Sequence, residues 1–228
     1  MSGSPYRFKP DRYSSHAVIL SRLGEGRGRR LLDVGAADGF LAELLTARGW
    51  TVTALERDPE QAARARGRCK EVVVADLEEA APKLAGSFEA IVYGDILEHL
   101  SDPLRVLVAI NRTLARGGVV IVSVPNVAHL WMRFNLFLGR FEYADRGILD
   151  RTHLRFFTRR SFRRLLGQAG LEVKELLVTP APLPLVVPER FHGHLLDALH
   201  AANAAGARVW PGGLAYQYVA VCAREGAA

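Results

Sequence analysis

A short apolar run followed by a glycine-containing turn is the feature that most restricts the fold of this chain. Residues 31–39 read Leu-Leu-Asp-Val-Gly-Ala-Ala-Asp-Gly, and a helix-like segment follows them. This order predicts a strand, a tight turn and a helix start, as in the first unit of an open α/β sheet. We expect the turn to contact a cofactor, because a side chain at Gly35 or Gly39 would obstruct a close approach to the backbone.

The carboxylates around this turn restrict the charge of the cofactor. In dinucleotide-binding proteins a pyrophosphate lies at the helix N-terminus, attracted by the helix dipole and the N–H groups. Asp38 occupies that entrance here, and Asp33 ends the strand before the turn. The two carboxylates favour a cationic ligand and disfavour a nicotinamide dinucleotide, so an oxidoreductase is only a third candidate for the function.

Strand and helix signals alternate along the rest of the chain at spacings typical of βαβ units. Strands are predicted at about 30–34, 51–55, 71–75, 88–93, 119–124, 171–178 and 214–223. Helices are predicted at about 11–23, 39–48, 60–66, 103–114, 159–169 and 191–205. We expect Gly117 and Gly118 to end the fourth of these helices. The pattern predicts an α/β fold with a mostly parallel, Rossmann-like sheet and helices on both faces.

The composition agrees with one globular domain: of 228 residues, 49% are hydrophobic and 24% are charged. No apolar run reaches the roughly 18 residues that a membrane span requires, and the N-terminus lacks the apolar core of a signal peptide. We therefore expect a cytoplasmic protein. Cys69 and Cys222 have no metal-ligand spacing and are expected to be reduced, so no metal site is predicted.

The net charge of +6 does not by itself indicate a nucleic-acid partner. The basic residues are mostly arginines scattered along the chain, with concentrations before Arg30 and between Arg151 and Arg164. RNA recognition normally adds exposed aromatic side chains among the basic ones, and the sequence lacks that pattern. We expect no nucleic-acid partner. An anionic small molecule or a membrane surface is the alternative explanation of the charge.

Acidic residues also follow the second, third and fourth predicted strands. Glu56 comes about 20 residues after the glycine turn, the distance from which a carboxylate can accept hydrogen bonds from both ribose hydroxyls. Asp76 follows strand three, where the alternative role is an N-cap, and Asp95 follows strand four. Since ligands bind at the carboxyl ends of the strands in an open α/β sheet, these residues are predicted to meet at one site.

Two longer segments complete the pattern. Residues 88–103 read Phe-Glu-Ala-Ile-Val-Tyr-Gly-Asp-Ile-Leu-Glu-His-Leu-Ser-Asp-Pro, with a Glu-His pair after strand four. Residues 147–158 read Gly-Ile-Leu-Asp-Arg-Thr-His-Leu-Arg-Phe-Phe-Thr and precede the helix before strand six. Together with the glycine turn, these segments resemble the motifs of the class I S-adenosylmethionine-dependent methyltransferases, in a bacterial group related to the ubiquinone O-methyltransferases.

The resemblance covers about residues 31–222 and implies S-adenosylmethionine as the cofactor, with a seven-stranded sheet whose last strand is antiparallel. Ala37 stands where the family usually has the middle glycine of its first motif. Asp76 would meet the adenine amino group, with Leu77 against the ring, and residues 93–95 would border the methionine end. The residues predicted to bind the cofactor are Asp33, Gly35, Ala37, Gly39, Glu56, Arg57, Asp76, Leu77, Tyr93, Gly94, Asp95 and His99.

Methyl transfer requires alignment of the nucleophile with the methyl–sulfur bond and, for a hydroxyl nucleophile, a base that takes its proton. Histidine suits this task because its unperturbed pKa is about 6.5. His153 is the predicted base, with Asp150 or Arg151 as an orienting or substrate-binding group. The alternative is a structural histidine that holds the insertion against the sheet. His99 is the second candidate base and His129 the third.

Bulky apolar residues predict how the acceptor is enclosed. The segment 130–138 is apolar on nearly all sides, which favours a core-packing or lid helix over an interfacial membrane helix. We expect Trp131, Phe134 and Phe137 to form an apolar wall over the acceptor, without stable membrane insertion. Residues 176–188 contain closely spaced prolines from Pro180 onward, so they cannot form one regular element and are predicted to be a semi-rigid flap.

The sequence as a whole predicts a single methyltransferase domain over residues 1–228, with an N-terminal helical arm at about 1–28 and lid insertions at about 127–158 and 179–212. The predicted reaction is O-methylation of a small-molecule or saccharide acceptor. Transfer to nitrogen, carbon or a macromolecule is the enzymatic alternative. An inactive, cofactor-binding regulatory protein is the alternative from another class, and the intact acidic residues and Glu-His pair argue against it.

Overall fold

The computed structural model describes residues 11–79, 82 and 84–226. Residues 1–10 of the predicted N-terminal arm lie outside this described part. Within it, the chain forms a seven-stranded sheet with helices on both faces. The strands are β1 (Arg30–Val34), β2 (Thr51–Glu56), β3 (Glu71–Val74), β4 (Phe88–Gly94), β5 (Leu114–Pro125), β6 (Leu171–Thr179) and β7 (Gln217–Arg224).

The sheet has the strand order β3-β2-β1-β4-β5-β7-β6. The pairs from β3 to β5 are parallel, and β7 runs antiparallel to both of its neighbours, which confirms the predicted fold class. Because of this reversal, Gln217 at the start of β7 pairs with Pro125 and Thr179 at the ends of β5 and β6. The chain just before β7 therefore reaches the edge where the parallel strands end.

The helices in the described residues are α1 (Ser15–Leu23), α2 (Phe40–Ala47), α3 (Pro59–Ala65), α4 (Pro103–Ile110), α5 (Leu130–Phe137), α6 (Arg159–Gln168), α7 (Leu183–Val186), α8 (His194–Val209) and α9 (Pro211–Leu214). Short 3-10 turns cover Leu97–His99, Asn111–Thr113 and Glu189–Phe191. Several helices begin at capping side chains. Ser14 accepts a hydrogen bond from the Ala17 N–H, and Asp58 and Asp102 cap helices whose first residue is proline.

The hydrophobic core forms one layer on each side of the sheet. On one face α1 and α2 bury Ile19 and Leu45 against the strands, and on the other face α4 and α6 bury Leu107 and Phe162. Each such side chain contributes about 1.5–3 kcal/mol when it leaves water. The two layers fix the carboxyl ends of β1, β2 and β4 side by side.

One predicted helix end is wrong. α4 ends at Ile110, β5 already begins at Leu114, and Gly117 and Gly118 lie inside that strand. The reason is pairing across the sheet, because Leu114 lies opposite Phe88 in β4. A glycine after an apolar segment usually marks the end of a helix. Here the pairing of β5 with β4, which is distant in the sequence, overrides that local preference.

Three predictions near the C-terminus also need correction. The predicted flap overlaps the end of β6, because residues 176–179 pair with β7, and after Pro180 it contains the short helix α7. β7 begins at Gln217 rather than at residue 214, since the preceding residues form α9. The helix predicted from residue 191 begins at His194.

Candidate functional site

The glycine turn after β1 has the left-handed backbone that its sequence predicts. Gly35, Ala37 and Gly39 have φ values of 75°, 48° and 78°. A Cβ on Gly35 would lie 2.7 Å from the Ile96 side chain. A side chain at this position would therefore clash with atoms of the protein itself. Ala37 adopts a conformation that is rare for a residue with a side chain, and such strain is concentrated at functional sites.

Glu56 at the end of β2 is directed back at this turn. Its Oε2 accepts a hydrogen bond from the Ala37 N–H at 2.8 Å, and its Oε1 accepts one from the Asp58 N–H at 2.9 Å. A carboxylate offers about four acceptor positions. Each oxygen of Glu56 therefore retains one position, which suits a pair of neighbouring ribose hydroxyls.

Asp38 does not present an unpaired negative charge at the start of α2. Its buried carboxylate pairs with Arg64, whose Nε lies 2.8 Å from Oδ1. The argument that Asp38 repels a pyrophosphate is therefore wrong as stated, because the guanidinium compensates the charge. Asp38 therefore gives no electrostatic ground for excluding a dinucleotide.

Arg57 and Asp76 line one open cleft at the carboxyl ends of β2 and β3. The cleft has a volume of ≈ 790 Å³, and Asp58, Pro59 and Glu60 complete its lining. One oxygen of Asp76 accepts a hydrogen bond from the Glu78 N–H at 2.8 Å within a turn, and no helix begins among the described residues 77–79, so the alternative role as a helix N-cap is not observed. The other oxygen of Asp76 remains available to a donor in the cleft, whose lining residues 57–60 directly follow Glu56 in the chain.

Asp33 is a fully enclosed carboxyl group at the centre of the sheet. Burial, assisted by the negative charge of Glu56, raises the pKa of Asp33 from 3.8 to about 7. Its Oδ2 is buried and has no hydrogen-bond partner among the described residues. Such an unsatisfied acceptor is costly to retain, and a cationic or N–H-bearing ligand in the turn would reduce that cost.

Tyr93 and Asp95 at the end of β4 differ in what they offer a ligand. The Tyr93 ring lies in the core, where its hydroxyl donates to Asn111, so its contact with a cofactor would come from the backbone. Asp95 has a φ of 56°. Its carboxylate accepts hydrogen bonds from Ser123 Oγ at 2.7 Å and from Ser15 Oγ at 3.1 Å. Asp95 therefore joins the start of α1 to β5 at this edge of the sheet.

His99 is oriented by the insertion that follows β5. The Thr152 hydroxyl donates to Asp150 Oδ1 at 2.6 Å, and it lies 3.1 Å from His99 Nδ1. Since the hydroxyl proton is directed at Asp150, Thr152 Oγ1 accepts a hydrogen bond from His99. The proton of the neutral imidazole is thus on Nδ1, and Nε2 carries the lone pair. The Asp150 carboxylate orients His99 through Thr152.

His153 is held in the same tautomer by a backbone group. Its Nδ1 lies 3.0 Å from the carbonyl oxygen of Ile148, which can only accept, so Nδ1 carries the proton and Nε2 the lone pair. The side chain is buried, and its ring meets the His99 ring edge to face at a centroid distance of 4.8 Å. The two candidate bases are therefore direct neighbours.

Glu98 joins the two histidines in a compact cluster. Glu98, His99 and His153 each offer one potential ligand atom, and these atoms lie within 4.8 Å of one another. Carboxylate and imidazole groups at this spacing could hold a divalent cation. The sequence did not indicate the cluster, because the fold brings together residues from two distant segments.

The electrostatics of the cluster favour a neutral His99 beside an ionised Asp150. Burial and the neighbouring His153 lower the pKa of His99. Burial raises the pKa of Asp150, but hydrogen bonds from Thr152 and the charges of the two histidines outweigh this and keep it below its usual range. A neutral imidazole can accept a proton or bind a cation, and both are possible chemical roles of this cluster.

The predicted acceptor residues lie on an exposed surface. The exposed fractions of Trp131, Phe134 and Phe137 on α5 are 63%, 53% and 86%. Arg151 is also exposed and pairs with Asp145 at 2.7 Å. An apolar wall would require an acceptor that covers the three rings, so their role and that of Arg151 in acceptor binding stay predictions.

Several residues at this edge were missed by reasoning from the sequence. Thr152 lies inside a segment that the sequence singled out, and its position between Asp150 and His153 was the available signal. Tyr216 immediately precedes β7, and the expected reversal of that strand could have placed it at the ligand edge. Ser15 gives no such signal, because only the packing of α1 brings it to Asp95.

Comparison with known proteins decides the family. A family model described as a methyltransferase domain matches residues 11–176. The chain belongs to the class I S-adenosylmethionine-dependent methyltransferases. The ubiquinone biosynthesis O-methyltransferase of Xanthomonas axonopodis is 31% identical over 166 residues, covering 69% of this chain and 68% of that protein. The methyltransferase is thus related to the ubiquinone O-methyltransferases.

Solved structures support the same fold at lower identity. A SAM-dependent methyltransferase from Archaeoglobus fulgidus is similar with a TM-score of 0.62 at 15% identity, covering 91% of this chain and 94% of that one. Magnesium protoporphyrin IX methyltransferase from Synechocystis, solved with bound SAH, has a TM-score of 0.62 at 14% identity, covering 92% and 82%. Among the described residues of the methyltransferase, no helix is both long and apolar enough to cross a bilayer.

The residues present fit the cofactor of this family, S-adenosylmethionine. Glu56 retains an acceptor position on each oxygen, and the buried Oδ2 of Asp33 lacks a partner among the described residues. Both groups attract donors or positive charge, which the ribose and the cationic methionine end provide. The groups that fit the cofactor lie at the carboxyl ends of the strands from β1 to β3.

Proposed function

We propose that this methyltransferase transfers a methyl group to a hydroxyl of a small-molecule or saccharide acceptor, with His153 as the general base. The observation that carries the proposal is the tautomer of His153, whose Nδ1–H is bound by Ile148 and whose Nε2 can therefore accept a proton. The ubiquinone biosynthesis relatives, named as O-methyltransferases, support transfer to oxygen. A cytoplasmic location stays a prediction from the sequence.

S-adenosylmethionine supplies a methyl group that is already activated on a sulfonium sulfur. We infer that Glu56, Asp76 and the turn after β1 hold it, with Asp33 near its charged end. Asp95 then orders the methyl-bearing side of the site by tying Ser15 to Ser123.

The residues of the insertion act on the acceptor. With the cofactor bound, Nε2 of His153 would take the proton of the acceptor hydroxyl whose oxygen receives the methyl group. Proton removal by a positioned base typically contributes a rate increase of about 10²–10⁴. The Asp150–Thr152–His99 chain fixes the orientation of the neighbouring imidazole, while burial and His153 lower its pKa.

The test compares two substitutions of His153. His153→Asn keeps a side-chain N–H for the Ile148 carbonyl and removes the basic nitrogen, whereas His153→Ala removes both. Both variants should reduce turnover by about 10²–10⁴, while S-adenosylmethionine affinity remains and the melting temperature of the asparagine variant stays near that of the wild type. His194→Ala, at an exposed position, is the matched control.

If His153 has only a structural role, we expect the opposite result. In that case His153→Asn is active, and His153→Ala loses activity only in proportion to the unfolded fraction. Release of S-adenosylhomocysteine by the wild type when acceptor fractions are added excludes an inactive cofactor-binding protein. Methyl-labelled cofactor then assigns the acceptor to the small-molecule, glycan, lipid, RNA or protein fraction.

The cluster of Glu98, His99 and His153 supports a second role for these histidines. A divalent cation held there would lower the pKa of a bound acceptor hydroxyl and replace the general base. Treatment with a chelator separates the two roles, because general-base catalysis survives chelation. Loss of turnover that returns with an added divalent cation would assign the cluster to metal binding.

A further inference from the structure

The loop that follows β3 carries Asp76 and is held in place by side chains from the start of α4. β3 is an edge strand of only four residues, so few backbone hydrogen bonds fix this loop, and segments of this kind open most easily. Arg105 Nη2 donates hydrogen bonds to the carbonyl oxygens of Leu77 at 3.2 Å and of Glu78 at 2.6 Å. Glu78 in turn donates its N–H to the Asp76 carboxylate at 2.8 Å. The orientation of Asp76 therefore depends on contacts made outside the sheet.

Ser101, which lies just before α4, makes the second contact with this loop. Its N–H donates to the Glu78 carboxylate, with 3.2 Å to each oxygen, and its hydroxyl donates to Oε2 of the same group. Hydrogen bonds to an ionised acceptor are about twice as strong as those between neutral groups. Helix capping does not explain them, because Asp102 caps α4 by accepting a hydrogen bond from the Arg105 N–H at 3.0 Å. The contact thus ties the loop to the residues before the helix.

The other side of Ser101 holds the insertion that carries His153. The Ser101 carbonyl accepts hydrogen bonds from the Arg155 guanidinium, from Nε at 2.9 Å and from Nη2. Earlier in the same segment, the Glu98 carbonyl accepts from the N–H groups of Leu154 at 2.8 Å and of Arg155 at 3.0 Å. The segment from Glu98 to Ser101 therefore has the loop after β3 on one side and the insertion on the other.

The contacts from Asp76 through Glu78 and Ser101 to Arg155 connect the two halves of the site. When a ligand fixes Asp76, Glu78 loses freedom, and Ser101 loses freedom with it. The insertion then loses less conformational entropy in keeping its contacts with Ser101, so its local opening becomes rarer. By linkage, an insertion closed on an acceptor strengthens ligand binding at Asp76 by the same factor.

We propose that Ser101 is a positioning residue, through which Glu78 and Arg155 couple occupation of the cofactor site to the order of the insertion that carries His153. Cofactor and acceptor therefore bind with positive cooperativity. This coupling rests on the proposed placement of the cofactor at Asp76. It does not depend on whether His153 is the base.

Hydrogen–deuterium exchange measured by mass spectrometry tests the coupling without an acceptor. The exchange of peptides that cover residues 147–158 is compared without and with saturating S-adenosylhomocysteine, after calorimetry has given the Kd of each variant. Peptides that cover residues 76–79 report in the same experiment whether the loop after β3 responds to the ligand.

Two variants break the connection at different ends. Arg155→Met removes the guanidinium and retains the apolar stem, whereas Glu78→Ala removes the carboxylate that Ser101 contacts. Arg160→Met, at an exposed arginine of α6, and Glu79→Ala, at the exposed neighbour of Glu78, are the matched controls. Arg155→Lys retains a charged donor for the Ser101 carbonyl and serves as the conservative variant.

In the wild type and in both controls, S-adenosylhomocysteine should slow exchange in residues 147–158 about fivefold, the effect of one hydrogen bond. In Arg155→Met and in Glu78→Ala this slowing should be absent, whereas exchange in the turn after β1 still slows. The double variant should lose no more than either single variant, because both act through Ser101. Arg155→Lys should recover part of the slowing.

A purely structural role of these residues gives a different pattern. If both variants speed exchange in residues 147–158 by the same factor with and without the ligand, the slowing by the ligand is unchanged and the proposal is overturned.

Failure of the proposed cofactor placement is distinguishable from failure of the coupling. If S-adenosylhomocysteine binds in calorimetry but does not slow exchange in residues 76–79 of the wild type, the cofactor lies elsewhere and the coupling is refuted with its placement. If the ligand slows exchange in this loop and leaves residues 147–158 of the wild type unchanged, the placement stands and only the coupling is refuted.

Discussion

The buried carboxyl group of Asp33 makes the stability of this methyltransferase dependent on pH. In the folded protein its pKa is raised from 3.8 to about 7, mainly by burial and further by Glu56. Between these two values the folded state binds a proton that the unfolded state has released. Stability should therefore fall as the pH rises from about 4 to about 7, and become independent of this group above that range.

The size of the effect follows from the same two values. A difference of about 3 pKa units corresponds to about 4 kcal/mol, at about 1.4 kcal/mol per unit. Asp33→Asn is nearly isosteric and cannot ionise, so it should gain up to about 4 kcal/mol over the wild type above neutral pH and nothing near pH 4. This figure is an upper limit, because the asparagine amide also needs hydrogen-bond partners in a buried site.

The difference in unfolding free energy between Asp33→Asn and the wild type can be measured by urea unfolding, followed by tryptophan fluorescence. The measurement is made without cofactor and over a series of pH values. Glu25→Gln, at an exposed position of the connection after α1, is the control and should leave the pH dependence unchanged. The reasoning fails if the difference between Asp33→Asn and the wild type is constant with pH, or if the variant is less stable above neutral pH.

Two further predictions concern the ligands. Glu56→Ala should weaken S-adenosylmethionine binding by about 1–3 kcal/mol in calorimetry, since donors of the cofactor and of the turn lose their acceptor; an unchanged affinity in the folded variant would remove Glu56 from the site. Trp131→Ala should raise the KM for the acceptor about tenfold, the effect of one buried aromatic ring, with the same affinity for S-adenosylmethionine. If the KM for the acceptor does not change, the Trp131 ring faces something other than the acceptor.

The turn and the strand ends at which we propose the cofactor site could be predicted from the sequence because their signals are local. The apolar run before Gly35 predicts a strand, and positive φ after it explains the glycines. Glu56 and Asp76 end their own strands, and parallel strands end at one edge, so their proximity follows from the fold class. What the sequence did not reveal is that Arg64 compensates Asp38, since that contact joins α3 to the turn.

The acceptor side depended on tertiary structure for a physical reason. The segments around His99, Asp150–His153 and Tyr216 are far apart in the chain, and no periodicity relates them. Their meeting depends on the reversal of β7 and on the hydrogen bonds that the Ile148 carbonyl and the Thr152 hydroxyl make with the two histidines.

The sequence by itself determined the strand-turn-helix unit and the order of the elements, because spacing and side-chain chemistry act over a few residues. Tertiary structure decided which histidine nitrogen carries the proton and where β5 begins. It also decided that Glu98, His99 and His153 form one cluster. These features depend on pairing and burial between distant segments, whose energies outweigh local preference wherever the two conflict.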